Sequence, residues 1–329
     1  MTLGMIVRAD FGRGLAQQTY SFWRHLKPDV TVVIDMSEVQ GARPYDWPQD
    51  FDAYPGAIQT KWKGYTADFE NPQALAALSD CDIVFSAETY YDERLPERTR
   101  TILHVNPELF RHQKATQYWY PTPWRINDLP PGHLVPTPIE DEDIALDLPG
   151  TNKLLHVGGH RAAGDRNGTQ IIGGTIRHID HPWRLTAQDG MKMSPRVRQR
   201  VEVKGNTENR WELYDGCGIL VYPRRYGGQS LVVNEAMARG LAVVMGDNPP
   251  NIEAWPVVPA PTRAGGYIKT PGGRIQMHMV LTQSFEDVIR TLLSDDEMLQ
   301  RWQARSLAWA RDNAWSEWEP KIRELVDAR

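Results

Sequence analysis

The chain has 329 residues, 41% hydrophobic and 24% charged, which suits two ordinary globular domains and excludes a disordered or fibrous protein. Its formal net charge of −5 counts against a protein that coats nucleic acid over its whole surface, while leaving room for a local basic groove. No apolar run approaches the roughly 18 residues of a membrane span, and the start of the sequence lacks the basic and apolar regions of a signal peptide, so a cytoplasmic protein with no membrane partner is expected.

Residues 4–9 are predicted as a strand, 10–14 as a glycine-bearing turn, 15–26 as an amphipathic helix and 30–35 as a buried strand. Strand, loop, helix, strand is the unit of a parallel sheet. A helix over 72–79, strands over 82–87 and 101–105, and a short proline-bounded strand over 133–139 continue the theme. Cys81, like Cys217 further on, sits beside an apolar run and reads as a buried thiol rather than a disulfide or metal ligand. The acidic, proline- and glycine-bearing stretch from Glu140 to Asn152 is expected to link two domains. The alternation then restarts: strands over 153–157, 183–187, 200–203, 217–222 and 241–245, and helices over 168–178, 208–215 and 230–239, with Gly240 as the helix C-cap. Residues 284–328 are mostly helical by period and rich in tryptophan.

The informative stretch is 200–245. A strand ends in Pro-Arg-Arg-Tyr-Gly-Gly and a helix starts near Ser230, a good N-cap residue. Helix N-termini offer free N–H groups and partial positive charge, which suit a diphosphate. Gly227 and Gly228 allow close approach of backbone to ligand. Glu235 lies about one turn further on, where a carboxylate reaches a ribose diol. A glutamate on a solvated helix face would look the same.

The run Gly227-Gly228-Gln229-Ser230-Leu231, then Glu235-Ala236-Met237-Ala238-Arg239-Gly240 and Ala242-Val243-Val244, resembles the donor-binding pattern of the group 1 glycosyltransferases, retaining enzymes of GT-B fold. The Arg-Arg-Tyr-Gly-Gly run is also similar to phage-encoded glycosyltransferases, and the tail from Ala310 to Leu325 resembles that family's final helix. The resemblance implies an α/β GT-B protein: an N-terminal Rossmann-like acceptor domain over 1–148, a C-terminal Rossmann-like donor domain over 149–308, parallel sheets facing across a cleft, and a closing helix over 309–329. It implies a nucleoside-diphosphate sugar as co-substrate, UDP-sugar favoured, with no metal or other cofactor. One departure is plain: Gly227 stands where the family carries a glutamate beside the donor sugar.

By the same resemblance, the loop after strand 153–157 carries Gly158 and Gly159 against the donor, and Arg161 and Arg166 are the cations expected to neutralise the departing diphosphate. Lys204 and Arg225 are further candidates for that charge. Loop arginines in solvent are the plainer reading. In the N-terminal half, Gly12, Arg13 and Gly14 would face the acceptor, although a lone G-x-G is weak as a dinucleotide fingerprint. Asp10, Glu88 and Glu108 follow strands, where ligands of open α/β sheets bind, and are candidate bases for an acceptor hydroxyl. Residues 111–125 mix Arg111, Lys114 and Arg125 with Tyr118, Trp119, Tyr120 and Trp124. Cations with rings are what a nucleic-acid groove uses, and Trp119, Trp124 and Arg125 are the expected acceptor contacts; a core strand with charged flanks is the alternative. The expected function is sugar transfer to a hydroxyl, with DNA carrying hydroxymethylated pyrimidine as first candidate. A virion protein or small glycoside is the rival acceptor, and a nucleotide-sugar epimerase or a binding-only module the rival class.

Overall fold

A computed structural model describes residues 1–11, 14–37, 49–61, 71–88, 94–110, 114–158, 165–186, 195–205, 207 and 209–328. Gly12, Arg13, Gly159 and Arg161 lie outside the described residues. The chain divides into two compact units, one of residues 1–121, 125–137 and 319–329, the other of 122–124 and 138–318.

The first unit runs β1 (Leu3–Arg8), α1 (Gly14–Leu26), β2 (Val30–Asp35), β3 (Ile58–Lys61), α2 (Pro72–Ser79), β4 (Ile83–Ala87), β5 (Arg100–His104), β6 (Gln117–Tyr120) and β7 (His133–Leu134). Its seven strands are ordered β3-β2-β1-β4-β5-β6-β7, all parallel. Every residue of β4 is buried, as strands covered on both faces require. Helix α2 starts where Asn71 accepts from the Gln73 N–H at 2.9 Å, with Pro72 in the first turn, where its missing N–H costs nothing. Ile6, Val32, Ile34, Leu78, Val84, Leu103 and Tyr120 meet in one core cluster.

The second unit runs β8 (Leu154–Val157), α3 (Thr169–His178), β9 (Trp183–Thr186), α4 (Pro195–Arg198), β10 (Val201–Lys204), β11 (Ile219–Val221), α5 (Leu231–Ala238), β12 (Ala242–Gly246), α6 (Asn251–Ala254), β13 (Val258–Ala260), β14 (Thr262–Thr270), β15 (Gly273–Val280), α7 (Thr282–Ser294) and α8 (Asp296–Asp312). The last helix, α9 (Trp315–Asp327), spans the boundary of the units. The sheet is ordered β10-β9-β8-β11-β12-β13, again all parallel. Successive strand residues alternate between two cores: Leu154, Ile219 and Val244 pack with Phe285 and Ile289, whereas Leu155, Leu220 and Val243 pack with Tyr214 and Met237. The overall class is α/β: each unit is built on one parallel, Rossmann-like sheet flanked by helices.

Three sequence expectations change here. Residues 117–120, in the segment expected to line a nucleic-acid groove, form β6 inside the first sheet. In the predicted helix 208–215, the described residues 209–215 are not a full helix; a single 3-10 turn covers Arg210–Leu213. The stretch from Glu140 is tied down: the Ala145 N–H donates to Ala238 O at 2.7 Å and Asp143 pairs with Arg210 at 3.2 Å. The antiparallel ribbon β14–β15 had no counterpart in the sequence reading.

Candidate active site

In the second sheet the strand order reverses between β8 and β11, and the carboxyl ends of such a pair are where open α/β sheets bind ligands. His156 ties the two strands together. Its Nδ1 lies 2.9 Å from Val221 O and its Nε2 2.9 Å from Thr169 Oγ1, so the imidazole donates to the carbonyl and accepts from the hydroxyl. Burial pushes its pKa down to about 4, and the ring is neutral near pH 7.

The loops leaving β8 and β11 touch. The Arg225 N–H donates to Arg166 O at 2.8 Å. Gly168, which caps α3 at a left-handed φ of 73°, lies so close to Pro223 that a Cβ there would sit 2.4 Å from the proline carbonyl oxygen. Only glycine fits both demands. Gly158 donates its N–H to Thr186 O at 2.8 Å and accepts from Asn167 Nδ2 at 3.2 Å.

From Tyr222 the chain runs over the sheet end as Pro223-Arg224-Arg225-Tyr226-Gly227-Gly228-Gln229-Ser230 into α5. Gly227 has a φ of 119°, open to glycine and strained for other residues. Arg224 is among the largest fully buried side chains, and its Nη2 donates to Gln229 O across the loop. Thr122 donates to Gly228 O at 3.3 Å from a short segment, 122–124, that belongs to this unit. Ser230 holds the N-cap position in extended conformation, but its hydroxyl makes no capping bond. The Ser230 hydroxyl therefore does not compete with an anionic ligand for the backbone N–H groups that open α5.

Glu235 is one turn into α5. The Tyr214 hydroxyl donates to its Oε2 at 2.6 Å, and Arg210 Nε lies 3.6 Å from its Oε1. Arg210 also pairs with Asp143 at 3.2 Å. Burial raises the Glu235 pKa, against the pull of Arg210 and of the Tyr214 hydrogen bond. A carboxylate has about four acceptor positions, so these contacts orient it and leave capacity for ligand hydroxyls.

Gly158, Arg166, Arg225, Gly227, Gly228, Gln229, Ser230, Leu231 and Glu235 thus share one end of one sheet. Lys204 does not join them. It ends β10, the edge strand two places from the reversal, and its ammonium lies 4.0 Å from Glu202 and 3.9 Å from Glu212. His156, Arg224, Tyr214 and Arg210 escaped the sequence reading. Arg224 had a signal, adjacency to Arg225, but nothing in the sequence says which of the two turns inward.

The first unit has its own reversal, between β1 and β4. Asp10 follows β1 but is fully buried, and Arg8 clamps both its oxygens at 2.9 and 2.6 Å. A carboxylate so buried and held is closed to an incoming hydroxyl. Glu88 follows β4 with a left-handed φ of 55°. Asn106 links the other two candidates, donating to Glu88 Oε1 at 3.0 Å and accepting the Glu108 N–H at 3.2 Å. Gly14 opens α1. Trp119 is wholly buried, its ring against Phe85 at 5.5 Å and Phe22 at 6.4 Å, so it has no face to offer a ligand. Trp124, which belongs to the second unit, is partly exposed, and Arg125, in the first, lies 3.5 Å from Asp128. Among the described residues no group of three or more His, Cys, Asp or Glu side chains is placed to hold a metal ion.

Residues 170–257 match the family model "Glycosyl transferases group 1". No curated protein matches the sequence. Among solved structures, the chain is similar to Anabaena HepE in complex with UDP and glucose, with TM-score 0.68, 10% identity and 100% of both chains covered. It is similar to sucrose-phosphate synthase from Thermosynechococcus elongatus, with TM-score 0.61, 11% identity, and 99% of this chain and 98% of that one covered. The pneumococcal O-GlcNAc transferase GtfA, in complex with UDP and GlcNAc, aligns with TM-score 0.56 at 12% identity over 77% of this chain and 58% of its own. At such identities the likeness is one of fold.

Proposed function

We propose that this chain is a group 1 glycosyltransferase of GT-B fold, as the match over residues 170–257 supports, and that it binds its nucleoside-diphosphate sugar at the carboxyl ends of β8 and β11. The observation that carries this is the convergence, inside the matched segment, of the 222–230 loop, the uncapped start of α5 and the oriented carboxylate of Glu235. The diphosphate lies against the α5 N-terminus, and Glu235 accepts from the ribose hydroxyls. UDP is the favoured nucleotide, since the HepE and GtfA structures hold UDP.

In the reaction the bond between the anomeric carbon and the β-phosphate oxygen breaks and a bond to the acceptor oxygen forms. The acceptor proton leaves to a base or to the departing diphosphate. Charge grows on that diphosphate, so Arg166 and Arg225, with Arg161, are the cations proposed to stabilise it. No metal is required in this scheme. Glu88 remains the candidate for acceptor contact in the first unit, whereas Glu108 is buried and offers an acceptor no open face. A polymeric acceptor is the finer proposal, with the hydroxymethyl group of a modified pyrimidine in DNA as first candidate and a virion protein as rival.

Calorimetric titration with UDP, GDP, ADP and dTDP tests the donor assignment, and a mass-spectrometric screen of UDP-sugars against hydroxymethylated DNA, protein and simple glycosides tests the acceptor. Failure of every nucleoside diphosphate to bind would overturn the site.

A further inference from the structure

The β14–β15 ribbon lies beyond the segment matched to the family, and its charge sets it apart. From Ala254 to Phe285 the sequence has no Asp or Glu, in a chain with 42 of them, yet it carries Arg263, Lys269, Arg274 and His278. The register pairs Lys269 with Arg274, Tyr267 with Gln276 and Ala264 with His278, so Tyr267, Lys269, Arg274 and Gln276 share one face. All four are exposed, Tyr267 by 56%. The Arg274 guanidinium sits over the Tyr267 ring, 4.7 Å from its centroid. None of Arg263, Lys269 and Arg274 forms an ion pair with a described carboxylate. The opposite face carries Ile268 and the buried Ile275.

The ribbon is held at its base. Asp247 accepts the Thr262 N–H at 2.9 Å and the Thr262 hydroxyl at 2.6 Å. The His278 N–H donates to Arg225 O at 2.8 Å, so β15 is fastened directly to the loop proposed to bind the donor.

We infer that the face formed by Tyr267, Lys269, Arg274 and Gln276 docks double-stranded DNA, laid in the major groove beside the donor site. This deepens the acceptor reading above and rests on it for the choice of polymer. Two strands about 4.8 Å apart fit a groove about 12 Å wide, and β-ribbons are known readers of it. Lys269 and Arg274 supply phosphate contacts, and Arg274 and Gln276 carry the hydrogen-bonding groups that meet base edges, the Arg274 guanidinium being steadied by the Tyr267 ring. The C5 substituent of a pyrimidine projects into that same groove, which places an acceptor hydroxyl there on the ribbon's side. Other occupants fit less well. The tip, Thr270-Pro271-Gly272-Gly273, has no large apolar side chain to insert into a bilayer. A second copy would bring like charges face to face.

The test is fluorescence anisotropy with a labelled 20-base-pair duplex, with and without 5-hydroxymethylcytosine, over a range of salt. Wild-type protein binds both duplexes, and affinity falls steeply with salt. The double variant Lys269→Ala/Arg274→Ala weakens binding about tenfold or more and flattens the slope of log K against log salt by about 2. Tyr267→Ala weakens binding and leaves the slope. UDP titration of the same variants serves as the folding control. Duplex binding unchanged in the double variant, or absent in wild type, overturns the inference. So does ribbon-dependent binding to phosphatidylserine vesicles or polyglutamate as tight as that to the duplex. Absence of UDP binding sinks the donor reading alone; ribbon-dependent duplex binding without sugar transfer sinks the acceptor reading and leaves the docking surface standing.

Discussion

Tyr214 Oη and Glu235 Oε2 are 2.6 Å apart, and this hydrogen bond, with Arg210 Nε 3.6 Å from the other oxygen, orients the carboxylate at the proposed nucleotide site. The tyrosine is fully buried, and both burial and the neighbouring carboxylate raise its pKa, so it stays a donor throughout the working range. Glu235→Ala removes a charged acceptor and is expected to lower nucleotide affinity by about 1.5–3 kcal/mol, roughly ten- to a hundredfold. Tyr214→Phe keeps the carboxylate but frees its rotamer, and a loss of about threefold to tenfold is expected, roughly the worth of one net hydrogen bond. Calorimetry with UDP reads both; equal losses in the two variants, or none in Glu235→Ala, contradict the assignment.

Gly168→Ala tests the contact between the two loops. A methyl group there meets the Pro223 carbonyl at 2.4 Å and must also adopt a φ of 73°. The left-handed conformation alone costs about 1–2 kcal/mol for an ordinary residue, so the total destabilisation is expected to exceed that. Weaker UDP binding should accompany it, since Pro223 begins the 223–230 loop. Gly150→Ala, also left-handed at a φ of 62° but with open space around it, is the control that carries the conformational cost without the collision.

Arg166 is proposed to act on the leaving diphosphate, and its loss should lower kcat more than it raises KM. Arg166→Ala is expected to cut turnover about tenfold or more, with Arg166→Lys recovering part of it. A pure rise in KM at constant kcat would show that the side chain binds the ground state only.

The buried histidines predict a direction for acid stability. His156 and His104 both have folded pKa values near 4, against an ordinary value of 6.5. In the window between, the unfolded chain takes up protons that the folded chain refuses. Stability is therefore complete above pH 6.5 and declines as pH falls to about 4, by up to about 3 kcal/mol for each group, at 1.36 kcal/mol per unit. Urea unfolding at pH 7.5, 6 and 5 should show this slope. His156→Gln should be less stable at pH 7.5 yet less sensitive to acid; an unchanged slope in both His156→Gln and His104→Gln contradicts the account.

The parallel sheets were legible because their strands are buried on both faces and so read as short apolar runs between turn signals, as at 30–35 and 83–87. The strand–loop–helix around Ser230 was legible for a second reason, its glycine pair and helix period. The ribbon was not. Gly265-Gly266 interrupts β14 at a register shift, and cross-strand pairs such as Lys269–Arg274 carry no apolar alternation. Trp119 misled because its cationic neighbours in sequence look like a groove, whereas strand pairing turns the ring itself to the core. Lys204 misled because sequence does not reveal that β10 is the sheet edge. Asp10 was placed correctly after β1, but its clamp by Arg8, two residues away, depends on side-chain direction along the strand.

The first unit is assembled from chain segments far apart in synthesis. Residues 319–329 count with residues 1–121 and 125–137, and the ties are specific: His25 pairs with Glu319 at 2.9 Å, Arg323 donates to His25 O, and Arg100 donates to Val326 O at 3.1 Å. On the ribosome, the half that emerges first must therefore wait for the rest of the chain before these ties can form. Translation at roughly 5–20 residues per second separates His25 from its partner by tens of seconds. During that interval a nascent first unit exposes the surface that α9 will cover, and there chaperone demand and misassembly should concentrate.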